Sequence, residues 1–228
     1  MQSAGPIKVI ITGVTGMVGE GVMHECLQNA GIAEVLIINR KPSGFSHPKL
    51  KEIIHKDFFN ITAVEQQLAG YDACFFCLGV TSVGKKEAEY YDLTYTLTIT
   101  FAEALYKVNS NMVFCYISGA GTDSSEKGRI MWARVKGKTE NDLFKMPFKK
   151  VYAFRPGYLH PTKGLQNTHG FYKYISWMYP ILKLIAPNTG STLKQLGLAM
   201  IYVAIYGYDK QLIEVSDIHK LGTQNQPA

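Results

Sequence analysis

Thr12-Gly13-Val14-Thr15-Gly16-Met17-Val18-Gly19 follows the β-branched run Ile7 to Thr12 without a break, and this junction decides the reading of the whole chain. Strand, glycine-rich turn and helix in immediate succession form a phosphate cradle. Gly13 makes the tight turn, Gly16 lets the backbone approach a pyrophosphate, and Gly19 opens a helix whose amide dipoles favour negative charge. Thr12, Thr15, Met17 and Val18 complete the set expected to line it.

Outward from the turn, short β-branched runs alternate with helical patterns, the signature of a parallel sheet wrapped by crossover helices. Strands are predicted over Ile7 to Thr12, Val35 to Ile38, Lys51 to Lys56, Ala73 to Leu78, Val113 to Ser118 and Lys150 to Phe154. Between them the spacing predicts helices over Gly19 to Asn29, Ile61 to Leu68, Tyr90 to Val108 and Ile130 to Phe144. The expected fold class is α/β, a Rossmann-type doubly wound parallel sheet in a single domain spanning 1–228.

From Tyr158 onward the alternation becomes irregular. An aromatic-rich helix is expected from about Gly170 to Ile185, followed by a helix capped by Ser191 or Thr192. Residues 158–228 are therefore expected to contribute a small substrate-side lobe over the carboxyl edge of the sheet, where open α/β sheets hold their ligands.

Composition narrows the class of function. The chain has 228 residues, 46% of them apolar and 18% charged, enough for one sizeable core. Its +6 charge is spread as pairs such as Lys85-Lys86 and Lys149-Lys150 among acids, a solvated face that argues against nucleic acid. The apolar stretch Leu196 to Tyr208 is shorter than the roughly 20 residues of a membrane helix. Met1 to Pro6 has no secretory pattern, so a cytoplasmic, reducing location is expected, with Cys26, Cys74, Cys77 and Cys115 free. Cys74 and Cys77 have redox or zinc spacing, but they lie within an apolar strand whose pleat points them to opposite faces.

The end of the second strand carries the cofactor choice. Enzymes that bind NAD place an acid about 20 residues beyond the turn, on the ribose hydroxyls. Asn39-Arg40-Lys41 stands here instead. A carboxylate would repel a 2′-phosphate, whereas a guanidinium grips one with paired hydrogen bonds, so NADP is expected over NAD. Asp57, after the third strand, is either an acceptor for the adenine amino group or a cap for the helix that follows.

With these motifs in order, the chain resembles the short-chain dehydrogenase/reductase superfamily in its extended and atypical branch, in particular the small Tat-interacting oxidoreductase-like proteins. The likeness rests on the G-x-x-G-x-x-G turn, Asn39-Arg40-Lys41, Cys77-Leu78-Gly79-Val80-Thr81, Val135-Lys136-Gly137, Phe154-Arg155-Pro156-Gly157 and Ile218-His219-Lys220-Leu221-Gly222. The resemblance implies that Leu78, Gly79 and Val80 lie on the adenosine side, and that Arg155, Pro156 and Gly157 bind the cofactor where they lead into the loop that touches the nicotinamide. It also implies that Ser118 and Lys136 are two of three catalytic residues, with Lys136 on the cofactor ribose as well.

The third member of that set, a tyrosine four residues before the lysine, is absent: Trp132 stands there. A phenol beside an ammonium works as an acid or base, whereas an indole offers only a donor that does not titrate. Tyr90, Tyr91, Tyr95 and Tyr158 are possible substitutes near that edge, or else core and pocket wall. Tyr179 to Lys183 and Tyr206 to Lys210 repeat the Tyr-x-x-x-Lys spacing in the C-terminal part, where chance supplies it.

The six histidines show no ligand spacing, so no metal is expected, and Ile117-Ser118-Gly119 lacks a hydrolase elbow. The stripe Phe171 to Tyr179 is core, pocket lid or a partner surface. Two functions follow from the residues together with the resemblance: an NADP-dependent oxidoreductase or epimerase-like enzyme on an unknown small carbonyl or alcohol, or an NADP-binding regulatory or scaffolding module that has lost its chemistry. A protein partner is possible on either reading but is not indicated.

Overall fold

The computed structural model describes residues 5–160, 162, 164–167 and 190–224. The expected aromatic helix from Gly170 to Ile185 and the stripe Phe171 to Tyr179 lie outside the described residues.

Seven parallel strands form the main sheet: β1 (Ile7–Thr12), β2 (Ile32–Asn39), β3 (Leu50–Ile54), β4 (Ala73–Phe76), β5 (Val113–Ile117), β6 (Lys150–Phe154) and β9 (Leu212–Ile213), in the order β3-β2-β1-β4-β5-β6-β9. The order reverses between β1 and β4, so the carboxyl ends of these two strands open a crevice. A separate parallel pair, β7 (Tyr158–His160) and β8 (Gly190–Thr192), stands beside the sheet.

Alternation along each central strand feeds two cores. Val9, Ile11, Phe75 and Cys115 pack on one face, Ile10, Cys74, Phe76 and Phe114 on the other. The pleat sends successive side chains to opposite faces, and both faces are covered, so these strands read as continuous apolar runs. Helix α1 (Met17–Gln28) covers the first face. The second is covered by α2 (Glu87–Tyr91), a π-helical segment Asp92–Thr96, α3 (Leu97–Val108) and α4 (Met131–Lys145).

The C-terminal part departs from the expected lobe. Helix α5 (Leu193–Tyr206), held at its start by a Thr192–Gln195 capping box, packs along α1, and α6 (Val215–Thr223) packs on α5. Between them β9 adds an edge strand beside β6 through Ala153 and Phe154. This two-residue strand has too little sequence to show a period of its own. Residues 193–223 thus complete the sheet and its first helical layer.

Elsewhere the strands differ from expectation mainly at their ends. β2 begins three residues earlier, at Ile32, and β4 stops at Phe76, which frees Cys77, Leu78 and Gly79 for the crevice. The segment expected as a helix from Ile61 is a 3-10 helix, Thr62–Leu68.

Candidate functional site

The glycine turn is built by close approach. Gly13 has φ +74°, and a Cβ on it would stand 2.7 Å from the Cys77 carbonyl oxygen. A Cβ on Gly19 would stand 2.3 Å from the Gly13 carbonyl oxygen, so the helix start folds back directly onto the turn. Larger residues at either position would pry β1, β4 and α1 apart.

The Gly16 N–H donates to the Gly13 carbonyl at 3.0 Å, and no side chain caps α1. Its first amides therefore point into the crevice, unclaimed by a side chain. Thr12 Oγ1, at the end of β1, is fully buried and has no hydrogen-bond partner among the described residues. An orphaned hydroxyl beside a row of helix amides fits a phosphate-bearing ligand.

On the β2 and β3 side of the crevice lies a cavity of about 150 Å³ lined by Arg40, Lys56, Asp57, Phe58, Phe59, Leu78, Gly79, Val80, Leu93 and Leu97. Five of these, Arg40, Asp57, Leu78, Gly79 and Val80, are sequence-predicted site residues. Leu93 and Leu97 come from the π-helical segment and the start of α3, an irregular winding that often marks functional sites. Sequence reasoning missed Lys56, Phe58, Phe59 and both leucines; proximity to Asp57 was the only signal for the first three.

The cation pattern at this cavity is distinctive. Asn39, buried at the end of β2, donates its amide to Glu52 Oε1 at 2.8 Å, and the Ser43 N–H donates to the same oxygen at 2.9 Å. Arg40 and Lys41 are exposed, and neither has a carboxylate partner among the described ion pairs. Asp57 does not cap the helix that follows, whose start at Ile61 has no side-chain cap; its Oδ1 accepts the Phe59 N–H at 3.0 Å in a local turn, and the residue lines the cavity.

The second half of the site lies at the ends of β5 and β6. Ser118 Oγ and Thr122 Oγ1 are 3.0 Å apart, and Thr122 donates its own proton to the Gly119 carbonyl at 2.8 Å. Ser118 is therefore the donor in their shared bond. It must turn from Thr122 before it can donate to anything else.

Lys136 Nζ donates to the Ile117 carbonyl at 3.1 Å and stands 5.2 Å from the Tyr116 ring centroid. Burial lowers its pKa to about 8, against the pull of the Glu140 carboxylate in the other direction. Trp132, one turn earlier, packs over the Ser118 loop: its Cζ3 would be 3.8 Å from a Cβ on Gly119 and its Cη2 3.7 Å from one on Gly121.

Of the tyrosines considered as substitutes, Tyr95 is turned to α4, where it donates to Asp142 Oδ2 at 2.8 Å, and the Tyr91 ring packs against it, tilted by 35° with centroids 4.6 Å apart. Burial and the Asp142 contact push Tyr95 up to about 12. Tyr90 is buried, and burial raises its phenol pKa as well. Tyr158 lies on β7, its hydroxyl buried.

Arg155 is placed differently from the expectation that it faces a cofactor. Its Nε donates to Glu140 Oε1 at 3.0 Å and Nη2 to Glu140 Oε2; Nη1 reaches Glu214 at 3.3 Å, and Nη2 also reaches Ser124 Oγ at 2.5 Å. The guanidinium is spent on structure, because the fully buried Glu140 requires a cation. Pro156 contributes its carbonyl to the Ala120 N–H at 3.0 Å, laying Gly157 and the loop after β6 against the loop after β5.

Glu20 was not singled out in the sequence. It follows Gly19, has no solvent exposure, and its two oxygens accept the N–H groups of Gln166 at 2.6 Å and Asn167 at 2.7 Å. The cofactor helix is thereby tied to the loop beyond β7.

With the glycine cradle at the switch point and Ser118 and Lys136 across from it, the chain is matched by a family model over residues 9–127, just over half of its length, which takes in the cradle and Ser118. The chain belongs to the NAD dependent epimerase/dehydratase family. Protein FMP52, mitochondrial, of Candida albicans is 25% identical over 191 residues, 78% of this chain and 82% of its own length. Protein HTATIP2 of Rattus norvegicus is 26% identical over 156 residues, 67% of this chain and 62% of its own.

Among solved structures, the Bordetella bronchiseptica enzyme WbmG in complex with NAD superposes with a TM-score of 0.66 at 14% identity, covering 98% of this chain and 79% of that one. The Helicobacter pylori ADP-L-glycero-D-manno-heptose-6-epimerase gives a TM-score of 0.65 at 14% identity, covering 99% and 85%. The fold of this member of the family is thus the Rossmann-like fold of these two enzymes.

Proposed function

We propose that this member of the epimerase/dehydratase family binds NADP in preference to NAD and acts as an oxidoreductase or epimerase-like enzyme on a small carbonyl or alcohol. The observation that carries the cofactor choice is the end of β2. Arg40 faces the cavity without a carboxylate partner, and Asn39, where an acid would receive ribose hydroxyls, is turned to Glu52. Thr12 and the uncapped start of α1 suit the pyrophosphate.

When bound, the nicotinamide supplies the hydride chemistry. For its part, the protein holds the cofactor ribose through Lys136, whose ammonium has N–H groups beyond the one given to Ile117. Ser118 offers its hydroxyl to the reacting oxygen once it leaves Thr122. Substrate enters on the side of Trp132 and the loop after β6.

Thermal denaturation with NADP, NADPH, NAD and NADH side by side tests the binding, since a ligand of the native state raises Tm by mass action. A larger rise with the NADP pair is expected; preference for NAD would overturn the assignment. Oxidation of NADPH across a panel of aldehydes and ketones tests the chemistry.

Trp132 supports a second reading, a binding module without turnover, because its indole covers the Ser118 loop where a phenol would serve as acid. Trp132→Tyr separates the two. Reductase activity that appears only in the variant favours the module, whereas turnover by the parent itself favours the enzyme.

A further inference from the structure

The backbone brings Arg40 and Lys56 together at the crevice. Asn39 pairs with Ile54 in the β2–β3 register, and the next residue, His55, donates its N–H to the Asn39 carbonyl at 2.8 Å. Arg40 follows β2 directly, and Lys56 lies two residues beyond β3, at a bend where the chain leaves the sheet. Both line the same cavity.

Two like charges that open on one small cavity repel one another. Each is exposed, and neither has an ion-pair partner among the described residues. Glu52, the nearby acid on β3, already accepts from Asn39 and from the Ser43 N–H. Asp57 lines the same cavity, with Oδ1 on the Phe59 N–H. A pair of cations with no ion-pair partner among the described residues, opening on one cavity that holds the single carboxylate Asp57, is an arrangement that an anionic ligand relieves.

We propose that Lys56 is a second cation for the phosphomonoester of an adenosine 2′-phosphate, gripping from the β3 side while Arg40 grips from the β2 side. This inference rests on the NADP reading above and adds to it a determinant from beyond the end of a different strand. Arg40 presents a planar fork, whereas Lys56 adds a point charge that follows the phosphate as it moves. A 2′-phosphate carries close to two negative charges at neutral pH, so two cations suit it better than one.

The test is equilibrium binding of NADP, NAD, 2′,5′-ADP and 5′-AMP to the full chain and to Lys56→Met, Lys56→Arg and Arg40→Met, at low and high salt. Lys56→Met is expected to weaken NADP and 2′,5′-ADP by roughly tenfold while NAD and 5′-AMP stay within about twofold, with Lys56→Arg restoring most of the loss. NADP binding by Lys56→Met is also expected to fall less steeply with salt than that of the parent. Lys56 makes no described side-chain bond, so an unchanged Tm without ligand confirms that folding is intact.

If Lys56→Met binds NADP as the parent does while Arg40→Met loses its preference, the role of Lys56 is overturned and the NADP reading stands. Equal weakening of NADP and NAD would make Lys56 part of the pocket wall and overturn its phosphate role. A parent that binds 2′,5′-ADP no better than 5′-AMP overturns both readings together.

Discussion

Gly137 of α4 lies so close to Asp123 that a Cβ on it would stand 1.8 Å from the Asp123 carbonyl oxygen. The contact presses the loop after β5 onto the helix that carries Lys136, so Ser118 and Lys136 are placed by the same joint. Around it, Asp123 Oδ2 accepts the Gly128 N–H at 2.6 Å, and the Asn141 amide donates to the Ser124 carbonyl at 3.0 Å. Gly137→Ala therefore has no room without moving backbone. Urea denaturation of this variant should show a loss of about 3 kcal/mol. The loss of any Ser118-dependent activity should exceed the loss of cofactor binding.

The Arg155–Glu140 pair yields a second expectation. Removing the guanidinium alone strands a carboxylate with no solvent exposure. Arg155→Met should cost about 3–5 kcal/mol, whereas the double variant Arg155→Met/Glu140→Leu should recover a large part of it. A single variant as stable as the parent would show that the pair is not closed in solution.

Lys136 gives a pH dependence whose sign follows from its lowered pKa. In the folded chain it releases its proton near pH 8, in the unfolded chain near the ordinary 10.5. Between these values the unfolded state holds more protons, so this group makes stability rise with pH. Below pH 8 both states are protonated and the burial penalty is fully present. Relative to Lys136→Met, the parent should gain Tm between pH 7 and pH 10, and parallel curves would contradict the burial of its ammonium.

Glu20 accepts the Gln166 and Asn167 amides through both oxygens, and Gln in its place keeps only one acceptor. Glu20→Gln should speed hydrogen exchange at one or both of these amides by roughly tenfold or more while amides in β1 and β4 stay protected. Unchanged exchange there would mean that the tie between α1 and the loop is not maintained in solution.

Much of this site is legible in the residues because it is local. Gly13, Gly16 and Gly19 sit within one turn, and Arg40, Leu78 and Ser118 lie just past the ends of strands that periodicity locates. Arg155 shows the limit of that reasoning. Its place after β6 is plain from the sequence, but the destination of its side chain depends on Glu140 and Glu214, 15 and 59 residues away. The same limit hid Glu20, whose partners lie 146 and 147 residues along the chain.

The sequence by itself determined the α/β alternation, the phosphate-binding turn, the absence of an acid after β2 and the replacement of a tyrosine by Trp132. These depend on residue type and short spacing, which backbone geometry converts directly into structure. Tertiary structure alone decided that β9 and α5 complete the main sheet and its first helical layer, and that Trp132 covers the Ser118 loop. It alone brought Lys56 to the cavity that Arg40 lines. Such juxtapositions arise when parallel strands bring distant segments into register, and no local pattern in the chain encodes which side chains then meet.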